Sequence, residues 1–312
     1  MPTYTQYDSQ NVQLAEDVED TMWRDISPEE TPVISMASQG TSTQKLTEWL
    51  TIEKDAAAFN ARVEGADSPA ATGHTPTRLN NNQQIFEKTA QVSDSQEAAK
   101  NYGISSTMAK EMALKTVELR RDCELAVVGL GDSAGTGRLT GNIGSASTAR
   151  EMKCVQSQIS AATTTTAAAG GTLLESDVLD CHKNIRIKGG GKDLFLVHSI
   201  SAALDVAQFV SPASGETSGR RRDLALETRL VNAVEVYKTP WGTLTSVQDD
   251  FIDPNSALLL DNEYLEMKYM QSFHSKPLSE GGFYTKRGLL AELTPAVLNT
   301  FASGMVDNII TA

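Results

Sequence analysis

Large core-forming side chains are thin in this chain of 312 residues, with aromatics at only 6%. Runs of small residues such as SAATTTTAAAGG (160–171) contribute little apolar area for their length. Cysteine is scarce as well. Cys123, Cys154 and Cys181 are far apart and odd in number, which argues against a disulfide framework and for folding in a reducing compartment. Basic charge is in deficit, 27 Lys and Arg against 40 Asp and Glu for a net charge of −13. That excludes a general coat that grips phosphates. No apolar run approaches the roughly 18 residues a membrane helix needs. The opening MPTYTQYDSQ has neither the basic start nor the apolar centre of a signal peptide, so no standard export signal is expected.

Chemical motifs are missing too. Gly129, Gly131, Gly135 and Gly137 lack the spacing and the following Lys of a phosphate loop, and no strand precedes them. They read as a linker. His74, His182, His198 and His274 are dispersed, without the spacing of a zinc site. His198 follows the strand-like LFLV, but no acid or nucleophile is paired with it. Asp249, Asp250 and Asp253 could face a hard cation, yet they do not match an EF-hand loop and read as a solvated turn. Arg220, Arg221 and Arg222 stand in a polar loop without interleaved aromatics, which suits a protein–protein salt contact better than base stacking. No catalytic, cofactor-binding or metal-ligating residue is assigned, and the chain does not read as an enzyme.

What is present is geometry. The stretch from Ser105 to Val128 repeats Met108, Met112, Leu119, Cys123 and Ala126 at helical spacing, uninterrupted by Gly or Pro. This predicts a long helix whose stripe packs on a sheet near 264–270 and 285–301, with Lys110, Glu111, Glu118 and Arg121 on its charged side. Before it, 41–54 alternates with period two, placing Lys45, Thr47, Trp49 and Thr51 on one face. Residues 77–93 form a second strand, giving a long hairpin with a broad tip. A two-stranded ribbon is marginal alone and has open edges, so it needs a partner surface. Residues 1–35 are either a loose terminus or an arm ordered against a neighbouring subunit; Trp23, Val33, Ile34 and Met36 favour the arm.

Further on, short helices are expected at 94–102, 148–159 and 173–187, with Ser93 and Gln96 at capping-box spacing. Leu194 to Val197 reads as a buried strand, and Ser199 or Ser201 as the cap of another helix. Strands follow at 232–238 and 242–247, then at 257–260 and 264–270 around a turn at Asp261 and Asn262. A strand-rich run closes the chain at 283–302. The second half is a mixed sheet with helices, and the fold class is α+β.

In this order the segments resemble a known family. ISPEETPVISM, KLTEWLTIEKDAAAFNARVEGAD, RLNNNQQIFEKTAQVSDSQEAA, MALKTVELRRDCELAV, TAREMKCVQSQI, the run from TPWGTLTSV to HSKPL, and GFYTKRGLLAELTPAVLN together are similar to the major capsid (major head) proteins of tailed double-stranded DNA bacteriophages, in a podovirus-type group with the Hong Kong 97-like fold. The resemblance spans about residues 15–301 and is least in 129–171 and 211–222.

The resemblance implies an N-terminal arm (1–40), an extended hairpin loop (41–93), a spine helix with the first part of a peripheral domain (94–171), an axial domain (about 172–260) and the peripheral closing strands with the C-terminus (261–312). It implies hexamers and pentamers of one chain in an icosahedral shell around double-stranded DNA, bound without sequence specificity. It implies a virion protein assembled in the bacterial host cytoplasm, with a portal protein at one vertex, a separate scaffolding protein and no cofactor or membrane; a decoration protein is left open. The acidic balance suits a wall that packs DNA without holding it. Lys54, Lys88 and Asn80 to Asn82 lie where some relatives cross-link, but no signature commits them, and no cross-link is expected. The candidate assembly-interface residues are Trp23, Ile34, Trp49, Glu64, Phe86, Glu118, Arg121, Arg220, Arg221 and Arg222. The alternatives are another virion component, of the decoration or tail, and a soluble α+β enzyme.

Overall fold

In a computed structural model, the structure describes residues 31–55, 57–68, 70, 73–99, 106–129, 138–167, 171–209, 236–279 and 281–309. The chain begins with a short helix α1 (Pro32–Met36), a strand β1 (Ser38–Thr41) and the hairpin legs β2 (Leu46–Thr51) and β3 (Thr77–Asn82). Strand β4 (Gln84–Ser93) and helix α2 (Asp94–Ala98) lead into the long helix α3 (Thr107–Val128). A small ribbon follows, β5 (Thr140–Asn142) and β6 (Glu151–Lys153), then α4 (Val155–Gln158) and β7 (Thr164–Thr166). Next come α5 (Glu175–Ile187), β8 (Asp193–His198), α6 (Ala203–Gln208), β9 (Val236–Thr239) and β10 (Gly242–Gln248). The last strands are β11 (Ser256–Leu260), β12 (Leu265–Pro277), β13 (Tyr284–Val297) and β14 (Gly304–Asp307).

Helix α3 has 22 residues, a length of about 33 Å at 1.5 Å per residue. Its start is fixed from two sides. Ser106 Oγ accepts the Ala109 N–H at 3.2 Å, while the Glu97 carboxylate accepts the N–H groups of Thr107 and Met108, both at 3.1 Å. A carboxylate suits a helix N-terminus because the unpaired N–H groups there carry partial positive charge. Its end is Gly129, whose φ of 131° is costly for any side chain. A Cβ at Gly129 would also meet the Gln156 side chain at 2.9 Å.

Two sheets take most of the strands. The four-stranded sheet runs β1-β12-β13-β4, with β1 parallel to β12 and the other pairs antiparallel. The six-stranded sheet runs β7-β14-β11-β8-β10-β9 and is mixed. Alternate residues of its central strands enter two different cores. Val197, Leu258, Leu260 and Met305 join Leu119, Cys123 and Val127 of α3 and Met267, Leu289 and Leu293 of the four-stranded sheet. Leu194, Leu196, Ala257, Leu259 and Val306 join Val178, Cys181 and Ile185 of α5 and Val206 of α6. This explains why β11, SALLL, is buried at every position: a strand covered on both faces loses its alternation.

The structure differs from the sequence expectations at several places. The return leg 77–93 is two strands broken at Gln83: β3 pairs with β2 in the hairpin, and β4 leaves it for the four-stranded sheet. The stretch 148–159 is helical only from Val155. Residues 151–153 are strand instead, because they pair antiparallel with β5, Thr140↔Lys153 and Asn142↔Glu151, while Met152 and Lys153 give their N–H groups to the Gln84 and Asn81 side chains. Strands β11 and β12, expected as neighbours around the turn at Asp261, part there and enter different sheets. Helix α6 has Ala202 at its N-cap with no side-chain cap bond, although Ser199 Oγ accepts the Ala202 N–H at 3.3 Å. The six-stranded sheet also draws β7 and β14 from outside 172–260.

Candidate assembly interface

Among the described residues, strands β2 and β3 form a two-stranded ribbon of their own, from Leu46↔Asn82 to Thr51↔Thr77. One face of β2 turns toward the body, with Thr47 buried and Trp49 half-buried. Trp49 Nε1 donates to Val297 O at 3.2 Å, and Lys268 lies 5.9 Å from the ring centroid. The other face and the tip carry apolar side chains into solvent: Leu50 and Ile52 are each 63% exposed, Val63 80% and Phe59 96%.

The joint between hairpin and body is polar. Asn81 Nδ2 donates to Lys153 O at 2.9 Å and Pro295 O at 2.7 Å, while its Oδ1 accepts the Lys153 N–H at 2.7 Å. Arg150 bonds Gln83 O and the Glu292 carboxylate. These residues tie three distant parts of the chain together, and Asn81 spends its amide inside the subunit. Lys88 is held by Asp122 at 2.7 Å.

The segment before the hairpin is anchored on α3. Glu124, fully buried, accepts the N–H groups of Val33 at 2.7 Å and Ile34 at 3.0 Å. Burial and then the nearby Asp249 push the Glu124 carboxyl up to about 8, against the pull of the two N–H bonds. Burial likewise raises Asp249 to about 6. The sequence pattern missed Glu124, because a Glu at a stripe-edge position of a charged helix looks solvated. The signal that could have found it is its place inside the apolar run that ends in Val127 and Val128.

The interface candidates divide. Trp23, Arg220, Arg221 and Arg222 lie outside the described residues. Glu64 is fully open at the hairpin tip. Ile34 is half-buried and turned to its own α3 through Glu124, and Trp49 likewise engages its own body. Phe86 is corrected: at 7% exposure it is part of the core under α3, because β4 joins the four-stranded sheet with Phe86 on the inner face. Glu118 pairs with Lys115 at 2.8 Å, and Arg121 stacks 5.9 Å from the Phe251 ring. Glu118 and Arg121 are half-exposed on the charged side of the helix.

Among the described residues no group of three or more His, Cys, Asp or Glu is arranged to hold a metal. His182 is buried, receives a hydrogen bond from Thr239 at Nδ1 or donates one to it over 3.0 Å, and is lowered to about 4 chiefly by burial. Burial pushes the Cys123 thiol well up and Cys181 up to about 12. Such thiols are poor nucleophiles. No helix among the described residues is long and apolar enough to cross a membrane.

The family model described as SU10 major capsid protein matches residues 1–310. The chain is a member of the SU10 major capsid protein family. No curated protein sequence matches it. Its fold is shared by solved capsids of low sequence identity. The capsid of a native GTA particle superposes with a TM-score of 0.65 at 12% identity, covering 99% of this chain and 100% of that one. The cyanophage A-1(L) capsid gives 0.63 at 12% identity, covering 96% and 98%. A chain of Mycobacterium phage Bobi gives 0.61 at 14% identity, covering 96% of each. The α+β architecture is thus the Hong Kong 97-like capsid fold, and the protein is a tailed-phage major capsid protein, a structural component of a virion.

Proposed function

We propose that this capsid protein assembles as hexamers and pentamers into an icosahedral shell that encloses double-stranded DNA. The observation that carries the reading is the hairpin. Leu50, Ile52, Phe59 and Val63 stand in solvent on a ribbon too thin to be stable without cover. A neighbouring copy of the chain supplies that cover, and in a closed symmetric assembly each modest contact is repeated many times. The net charge of −13 supports a wall that confines DNA by closure, with little attraction for phosphates.

In this reading residues 1–40 are the arm and 41–82 the extended loop, which stops where β3 gives way to β4. Helix α3 and the four-stranded sheet form the peripheral domain. The six-stranded sheet with α5 and α6 forms the axial domain at the capsomer centre, and takes in β7 and β14 beyond residues 172–260. A portal protein at one vertex and a separate scaffolding protein complete the assembly, which takes place in the host cytoplasm. The subunit acts through its surfaces and performs no catalysis.

Electron microscopy of the purified chain tests the reading. Closed shells or capsomer rings are the expected result, and nuclease-protected DNA in the native particle is expected with them. Uniform monomers at high concentration would overturn it. A decoration or tail component would instead bind to preformed capsids or tails without closing shells itself.

A further inference from the structure

The hairpin meets the body at Gln83, and the joint is made of polar side chains where an apolar contact would be ordinary. Gln83 lies between β3 and β4 and is fully buried. Its N–H donates to Lys45 O and its Nε2 to Thr47 Oγ1, both at 2.9 Å, so it moves with the outgoing leg. Its carbonyl is taken by Arg150 Nε, and the same guanidinium pairs with Glu292 on β13. The Arg150 and Glu292 side chains are only 13% and 5% exposed. Glu292 also accepts from Gln271 Nε2 on β12 at 3.3 Å. One planar group therefore spans the hairpin root and the four-stranded sheet at Glu292, beside the register shifts of β12 against β13.

The physical character of this contact matters. Apolar surfaces slide past each other at small cost, whereas a buried charge pair is satisfied at one geometry and leaves an uncompensated charge at others. Guanidinium and carboxylate add a directional fork to that requirement. Gln83 Oε1, by contrast, is buried with no hydrogen-bond partner among the described residues. The joint is held firmly by Arg150 yet is incompletely satisfied at Gln83. A rotation that brings a donor to this oxygen recovers part of the cost of breaking the pair.

We propose that Arg150 is a positioning residue that pins the hairpin root to the body at Gln83, and that breaking its pair with Glu292 loosens the angle at which β2 and β3 leave the body, weakening the Asn81 bonds beside it. The pin is an intramolecular device. Only its consequence for shell geometry rests on the assembly reading.

Hydrogen–deuterium exchange on the unassembled full-length chain tests the pin. In Arg150→Ala, exchange at the Lys153 amide, whose bond to Asn81 Oδ1 crosses from body to hairpin, should rise at least tenfold, while the Gln83 amide, bonded to Lys45 O within the hairpin, the cross-strand amides of β2 and β3 and those of α3 from Leu119 to Val128 stay as in the parent. Glu292→Gln keeps the shape and removes the charge, and should give the same pattern. Should Arg150→Ala not fold, Arg150→Lys decides: the charge remains, but the planar fork that fixes the angle between Gln83 O and Glu292 is lost, so the rise at Lys153 persists. Unchanged exchange at the Lys153 amide in the folded variants would overturn the pin. So would equal loss of protection throughout α3, which would make the pair a general folding contact. In particles, the variants should give mixed diameters or open sheets where the parent gives one diameter. Variant shells of the parent's single diameter would overturn the link to shell geometry. If the parent itself forms no shells, the assembly reading fails, while the exchange comparison still decides the pin.

Discussion

Glu124 accepts the backbone N–H of Val33 at 2.7 Å across 91 residues of sequence, placing a carboxyl in the core between α1 and α3. The nearest like charge is Asp249, itself 1% exposed; Arg120 and Tyr269 flank the same region, where Tyr269 feels both Arg120 and Glu124. The arrangement makes stability depend on pH with a definite sign. Glu124 is raised to about 8 in the fold, against about 4.3 in an unfolded chain. The folded state therefore binds the proton more tightly, and the contribution is complete below the unfolded value and lost as pH rises to about 8. His182 works the other way. Lowered to about 4, it contributes fully above about 6.5 and loses that contribution as pH falls toward 4. Asp249, at about 6, has largely finished titrating by neutrality. Unfolded thiols ionise at about 8.5 while the buried Cys123 and Cys181 do not, so the window from about pH 7 to 8 is the one that Glu124 dominates. Denaturant unfolding of the subunit should show stability falling there by about 1 kcal/mol, from about 1.4 kcal/mol per pH unit per proton. Glu124→Gln should flatten that fall. An equal slope in the variant would assign the dependence to another group.

Leu119 tests the packing of the spine. It is 1% exposed and lies in the core shared by α3 and both sheets. Leu119→Ala should cost about 2–5 kcal/mol by lost burial and an unfilled cavity, and Leu119→Asp should prevent folding. Glu118→Lys, one residue away, breaks only the half-exposed pair with Lys115, a loss of about 0.2–1 kcal/mol. Paired denaturation curves check the contrast. A folded Leu119→Asp subunit would contradict the placement of this face.

The contrast also shows what the sequence could reveal. The apolar stripe of α3, the hairpin and the buried strand at 194–197 were readable because each obeys one period over many residues. Phe86 and the break at Gln83 were not, since the strand-like run from 77 to 93 keeps its alternation while changing partners. Residues 151–153 look helical in isolation and become strand by pairing with 140–142, held in place by the Asn81 and Gln84 side chains far away in sequence. Asn81, Glu124 and Glu292 were opaque for a related reason. Polar residues normally face water, and only tertiary contacts disclose that these are buried. The hairpin was legible from its period-two spacing, while the exposure of Leu50 and Phe59 on its outer face and tip emerged only from the fold.

The thiols give a simple check of the core. Cys123, Cys154 and Cys181 are all buried and free, and burial raises the first and last away from reactivity. A maleimide or dithiobis-type reagent should label none of them in the native subunit within minutes at pH 7.5, and all three after denaturation. Rapid labelling of Cys181 in the native state would mean that α5 does not pack on the six-stranded sheet as described.

The hairpin tip separates folding from assembly. Phe59 is 96% exposed and Leu50 63% exposed, so neither contributes appreciably to the subunit's own core. Replacing both by serine should leave subunit stability within about 0.5 kcal/mol of the parent, as expected for surface changes away from structural features. If a neighbouring copy covers these side chains, each substitution removes apolar burial of about 1.5–3 kcal/mol per contact, and the loss recurs at every subunit of the shell. Shell yield, followed by sedimentation and negative-stain microscopy, should therefore fall steeply while the denaturation midpoint is unchanged. Equal loss of both would place the tip in the subunit's own fold, and full yield of shells would show that the covering surface lies elsewhere on the chain.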